Sequence, residues 1–156
     1  MTGSKRPIPQ KDIQRTLCIL TWLSMGRNRK QQGQAAPTMA ESYLAVLKRE
    51  FTGADGSFLI QLRPNLTWDK EAFSKLVAAM EASCKACEGR DKLDRWQAEG
   101  FWFMSWFVKD WTAHENFPRP QPQEYYENAL ERLNDLAYWF FFGYSPYEDG
   151  HVFDPL

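Results

Sequence analysis

Five stretches of the chain place apolar residues three or four positions apart, the spacing of one face of a helix. Ile13, Leu17 and Leu20 mark the first, over about 10–25, which closes at Gly26. The second follows Thr38, whose hydroxyl is placed to cap it, and Glu41 three residues on completes a capping box. Tyr43, Leu44, Leu47 and Phe51 form its stripe, and residues 52–56, with two glycines, break it. Residues 57–62 read as a short extended piece, halted at Pro64. A third helix is expected from the cap Thr67 to Gly89, with Phe73, Leu76, Val77, Met80, Cys84 and Cys87 inward.

The fourth stretch, about 91–114, is harder to orient, because apolar residues point in nearly every direction around it. At 100° per residue Leu93, Trp96, Phe103, Met104, Phe107 and Trp111 share one broad face, while Trp102 and Trp106 fall opposite, beside Arg95 and Lys109. Two explanations compete. Either the helix is central and buried all round, or the two tryptophans are a contact patch. Residues 117–122, with three prolines, form an extended connector. The last helix is expected from Gln123 to Phe142, with Tyr126, Leu130, Leu133, Ala137 and Phe140 inward and Tyr138, Trp139 and Phe142 outward. Gly143 ends it, and an irregular tail follows.

These elements predict an all-α fold, an irregular bundle of about five helices in a single domain over 1–156. Residues 1–9 and 144–156 are expected as tails and 27–37 as a mobile, glutamine-rich loop. At this length a chain buries roughly two-thirds of the surface it exposes when unfolded, enough for a core without staples. The aromatic content, 15%, is more than such a core needs, so some rings are expected at the surface.

Net charge is −1, yet it is unevenly spread. Residues 1–36 hold seven basic groups against Asp12, a net +6, whereas residues 110–156 hold two arginines against nine acids, a net −7. Such a split means either pairing of the two ends or two faces for different partners. The three cysteines, an odd number, make no disulfide framework, and reduced thiols in a cytoplasmic protein are expected. The apolar run at Thr16–Met25 has the outline of a signal peptide, but Arg27, Arg29 and Lys30 stand where a cleavage site would lie, so it is read as part of the fold. The run from Phe101 to Val108 is far shorter than the ~20 residues of a membrane span.

Few residues offer chemistry. Cys84-x-x-Cys87 lacks a second ligand pair at metal spacing and closes a helix rather than opening one, so both are expected as small core residues; no metal and no cofactor is expected. Asp110 and His114, four apart, would make an orienting pair for a general base, but no nucleophile elbow and no phosphate loop accompanies them. The reading that survives is a non-enzymatic accessory, adaptor or inhibitor protein that binds another protein, or itself, through Trp102, Trp106, Trp139, Phe142, Tyr144 and Tyr147. The alternative is a nucleic-acid-associated protein using Arg27, Arg29 and Lys30, with Trp22 to stack a base.

Overall fold

The computed structural model describes residues 41–147 and 151–154, which lie within the unit Thr38–Leu156. Five helices make it up: α1 (Tyr43–Phe51), α2 (Phe58–Leu62), α3 (Lys70–Cys87), α4 (Arg95–Thr112) and α5 (Gln123–Phe142). Among the described residues there is no strand, and the arrangement is an all-α bundle with an aromatic core. The expected helix over 10–25 and loop over 27–37 lie outside the described residues.

Three helix starts differ from their sequence expectations, each through a contact that local spacing does not reveal. The N-cap of α1 is Ser42, without a side-chain cap bond. The expected cap Thr38 lies outside the described residues, and both oxygens of Glu41 accept from Nη1 of Arg49 at 2.7 Å. Residues 57–62 are helical rather than extended. Ser57 Oγ accepts the Ile60 N–H at 3.4 Å, and Glu50 reaches back from α1 to accept the Phe58 N–H at 2.8 Å. Two of the four N–H groups a helix start leaves unpaired are thereby satisfied, and the pair Glu50–Phe58 spans the turn. The third helix is capped by Asp69, whose Oδ1 accepts the Ala72 N–H at 3.0 Å, while Thr67 donates its hydroxyl to the Asn65 carbonyl. Aspartate here gains from the helix dipole as well as from the hydrogen bond.

Helix α3 packs against α1 on one side and α5 on the other, and α4 packs along α5. Phe101 stacks face to face on Phe140 at 4.0 Å between ring centroids, and at the far end of the same pair Thr112 and Tyr126 share a 2.7 Å hydroxyl hydrogen bond. These two contacts show that α4 and α5 run antiparallel. Phe58, Trp68 and Phe73 form a second aromatic cluster, with centroids 5.0–5.2 Å apart, under α2. The buried side of α4 is Gln97, Gly100, Phe101, Met104, Val108 and Thr112. The broad face expected from the wheel is therefore rotated: Met104 is on it, but Phe103 and Phe107 are half-buried and Trp111 is exposed. Gly100 accounts for the rotation, since the ring of Phe51 lies where its Cβ would be, 2.0 Å from the nearest ring atom. The end of α5 matches its expected position at Phe142, with Gly143 in the left-handed conformation (φ 78°) and its N–H on the Trp139 carbonyl.

Glu50 is the one fully buried carboxylate among the described residues. Burial lifts its pKa above the ordinary 4.5, while the Phe58 N–H and Arg49 pull it back only in part. A carboxyl raised in the native state holds its proton more tightly there than in the unfolded chain. The stability carried by that proton is fully present below the ordinary value and is lost as pH rises through the raised one.

Two outcomes are expected in urea melts. Gly100→Ala should destabilise by about 1–3 kcal/mol through overpacking against Phe51, and by much less in a Phe51→Ala background. Glu50→Gln, which removes the charge and keeps a carbonyl for the Phe58 N–H, should be more stable than wild type at pH 7.5 and lose that advantage near pH 4. Glu50→Ala should instead cost about 1–3 kcal/mol at either pH, because the Phe58 N–H is left unpaired.

Candidate functional site

Turning Gly100 and Phe101 inward turns their neighbours outward. Trp102, one residue on from Phe101, is 55% exposed, and Trp106, one turn further, is 37% exposed. Their rings meet at 5.4 Å between centroids. Trp106 also meets Phe103 and Phe107 edge to face at 5.8 and 5.9 Å, Phe103 stacks on Phe107 at 4.6 Å, and Phe107 stacks on Trp111 at 5.7 Å. The result is a continuous ladder of rings over the last three turns of α4. Its far end is tied down, because the Trp111 indole N–H donates to the Leu62 carbonyl at 3.2 Å and the Arg63 guanidinium lies over Phe107 at 5.7 Å. Arg95, Lys109 and Asp110 stand exposed around the ladder and make no ion pair among the described residues. Of the two explanations for Trp102 and Trp106, burial on all sides does not apply to the described residues.

A second exposed group ends α5. Tyr138 stacks on Phe142 at 4.3 Å, and Tyr144 meets Tyr138 edge to face with their hydroxyls 2.9 Å apart, a hydrogen bond that raises the Tyr138 phenol pKa. Phe142 is 61% exposed. Trp139 requires a correction. It was expected to face outward, but it is buried to 7% exposure, with its indole N–H donating to Glu88 Oε1 at 3.1 Å and Phe153 tilted against it. One residue separates Tyr138 from Trp139, and 100° of helix carries the larger ring under the returning tail. That tail is irregular, as expected, yet tied to α5. Arg132 lies 3.9 Å from the Phe153 ring centroid and donates to the Asp154 carbonyl, and the Tyr147 hydroxyl donates to Asp135 at 2.6 Å. That last bond lifts the Tyr147 phenol to about 12.

The residues singled out for chemistry do not come together. Asp110 and His114 are both exposed and unbonded to one another; His114 Nδ1 accepts the Asn116 N–H instead. Cys84 and Cys87 are buried free thiols, the first donating to the Leu136 carbonyl and pushed up in pKa by burial, which leaves it protonated and unreactive. Among the described residues no group of three or more His, Cys, Asp or Glu is arranged to hold a metal ion, and no helix is long and apolar enough to cross a membrane. Arg27, Arg29 and Lys30 lie outside the described residues. Sequence reasoning missed two features. Phe103 and Phe107 are half-buried, packed against the core and joined to the outer ladder. Glu50 falls on the stripe of Tyr43 and Leu47 at helical spacing, and that position was the signal for a buried carboxylate.

No known family, curated protein or solved structure matches the chain.

The two kinds of tryptophan should separate in denaturant melts. Trp102→Ala with Trp106→Ala should change stability by less than about 1 kcal/mol, since both rings already face water. Trp139→Ala should cost about 3–5 kcal/mol, from the cavity its buried ring would leave.

Proposed function

We propose that this chain is a non-enzymatic accessory, adaptor or inhibitor protein that acts by binding another protein, with the α4 ladder as the centre of the contact. The observation that carries this reading is the set of five touching aromatic rings along one helix, with Trp102, Trp106 and Trp111 exposed and Phe103 and Phe107 half-buried between them. Tryptophan is the residue most enriched where interfaces concentrate their binding energy, and a central aromatic patch with a charged rim is the usual arrangement. Because the rings already pack on each other and on Arg63 and Leu62, little side-chain freedom is left to lose on binding. Asp110 and His114, exposed and unbonded to one another, supply no paired base beside the ladder, which supports contact rather than turnover. The buried, unpaired thiols of Cys84 and Cys87 support a reducing, cytoplasmic setting.

The test is a pull-down of the tagged chain from an extract of its source, with and without nuclease, beside the Trp102→Ala, Trp106→Ala variant. A stoichiometric protein partner is expected to survive nuclease and to bind the variant more weakly, by about 2 kcal/mol or roughly 30-fold in Kd for each ring at the centre of the interface. The variant's melting curve must match wild type. Partners that vanish with nuclease, or that are retained by the variant and lost on Arg27→Ala, Arg29→Ala and Lys30→Ala, would replace this reading with nucleic-acid association.

A further inference from the structure

A different surface identifies the chemistry of a partner more narrowly. On α5, Tyr126, Leu133 and Phe140 point into the bundle. Residues spaced to fall on the opposite side of that helix are Glu124, Glu127, Glu131, Asp135, Tyr138 and Phe142, which lie within about 80° of one another on a helical wheel. All are exposed except Asp135, which is half-buried beneath Tyr147. The ridge therefore reads acid, acid, acid, acid, then two stacked aromatic rings. It is about 27 Å long at 1.5 Å per residue.

Among the described residues no ion pair neutralises the negative charge on this ridge. Residues 110–156 contain two basic side chains, Arg119 and Arg132, and neither forms an ion pair with the ridge among the described residues, although Arg132 feels the charge of Asp135. Arg119 donates to the carbonyls of Thr112 and Ala113, capping the end of α4, and Arg132 is held by Phe153 and the Asp154 carbonyl. Among the described residues no acid of α5 forms an ion pair. Some of this charge suits the helix dipole, as Glu124 does in the first turn. Glu131 and Asp135 lie beyond its reach, two turns or more from the helix start, so the dipole does not explain them.

We propose that the outer ridge of α5 is a docking surface for a basic amphipathic helix of another protein. Its Lys or Arg residues, recurring every three or four positions, meet Glu124, Glu127 and Glu131, and one large apolar side chain seats on Tyr138 and Phe142. Matching the period of the acids to that of a helix brings successive opposite charges to the same spacing of about one turn. The sign of the charge disfavours several other occupants of this ridge. Nucleic acid and an anionic membrane are repelled, and so is the same ridge of a second copy. The chain's own residues 1–36, net +6, match it in sign, and absence of probe binding is the outcome they would give. The contact is separate from the α4 ladder, because Phe140 and Tyr126, which touch α4, lie on the other side of α5.

Fluorescence anisotropy on the full chain tests this. The probe is an 18-residue capped synthetic helix with lysines on one face and a phenylalanine near one end; two control peptides carry Glu for each Lys, or Ser for the Phe. The lysine probe is expected to bind, and to weaken at least about tenfold from 50 to 500 mM salt as the charges are screened. Glu127→Lys with Glu131→Lys in the protein should weaken it by a similar factor, as should Phe142→Ser or the peptide's Phe→Ser change. Trp102→Ala with Trp106→Ala should leave it unchanged, which keeps this surface distinguishable from the ladder. Absence of binding overturns the proposal. So does binding indifferent to Phe142→Ser, which would be charge attraction without docking, or binding indifferent to the two charge reversals. Melting curves confirm that each variant is folded.

Discussion

Phe101 lies flat on Phe140 at the seam of α4 and α5, and that stack sets the rotation of α4 about its own axis. A helix with apolar side chains in almost every direction has no single preferred inward face, so its orientation has to come from shape. At Phe101 the ring is fully enclosed, and one residue earlier Gly100 lets the ring of Phe51 approach the α4 backbone. No other residue fits that position without displacing Phe51. Once these two residues point inward, the 100° step of the helix leaves Trp102 and Trp106 no choice but to face outward. The exposed ladder is thus a consequence of core packing at its neighbours, and the bundle tolerates it because Phe103, Phe107 and Trp111 shield one another.

Buried polar pairs hold the same register. Gln97 donates to Ser83 at 2.9 Å between α4 and α3, and Thr112 bonds Tyr126 between α4 and α5. Each pair is satisfied only at one relative position of its two helices, since a slip of a single residue would leave buried donors or acceptors without partners. Glu50 does the equivalent for the short helix α2, which is too brief to be stable alone and starts on a carboxylate supplied by α1. The cost of burying that charge is part of how the turn between α1 and α2 is specified.

The outer surfaces divide the remaining aromatic residues into two groups with different electrostatic surroundings. Around the α4 ladder stand Arg95, Lys109 and Asp110, of mixed sign, whereas the rings that end α5 continue an acidic ridge. Arg119 serves helix-end carbonyls and Arg132 bonds the tail, so among the described residues neither forms an ion pair with the ridge, although Arg132 feels the charge of Asp135. The tail matters here in another way. By covering Trp139 and engaging Asp135 it removes one tryptophan from the surface, while Tyr138, Phe141, Phe142 and Tyr144 stay exposed.

The all-α class, the extents of α3 and α5 and the ends at Gly89 and Gly143 were all legible in the sequence, because periodicity, first-turn acids and left-handed glycines act within a few residues. So was the burial of Cys84 and Cys87, which sit on an unambiguous stripe. The caps at Ser42 and Asp69, the helix at 58–62 and the inward side of α4 were not. Glu50 and Phe58, Phe51 and Gly100, and Trp139 and Phe153 are contacts between separate elements, and their energies enter only when those elements are brought together. A polar or small residue such as Gln97, Gly100 or Thr112 reads as surface by composition, yet it is what fits where two helices approach most closely. Periodicity therefore determined which segments are helices, whereas close packing decided which side of α4 is core and which rings are left to meet a partner.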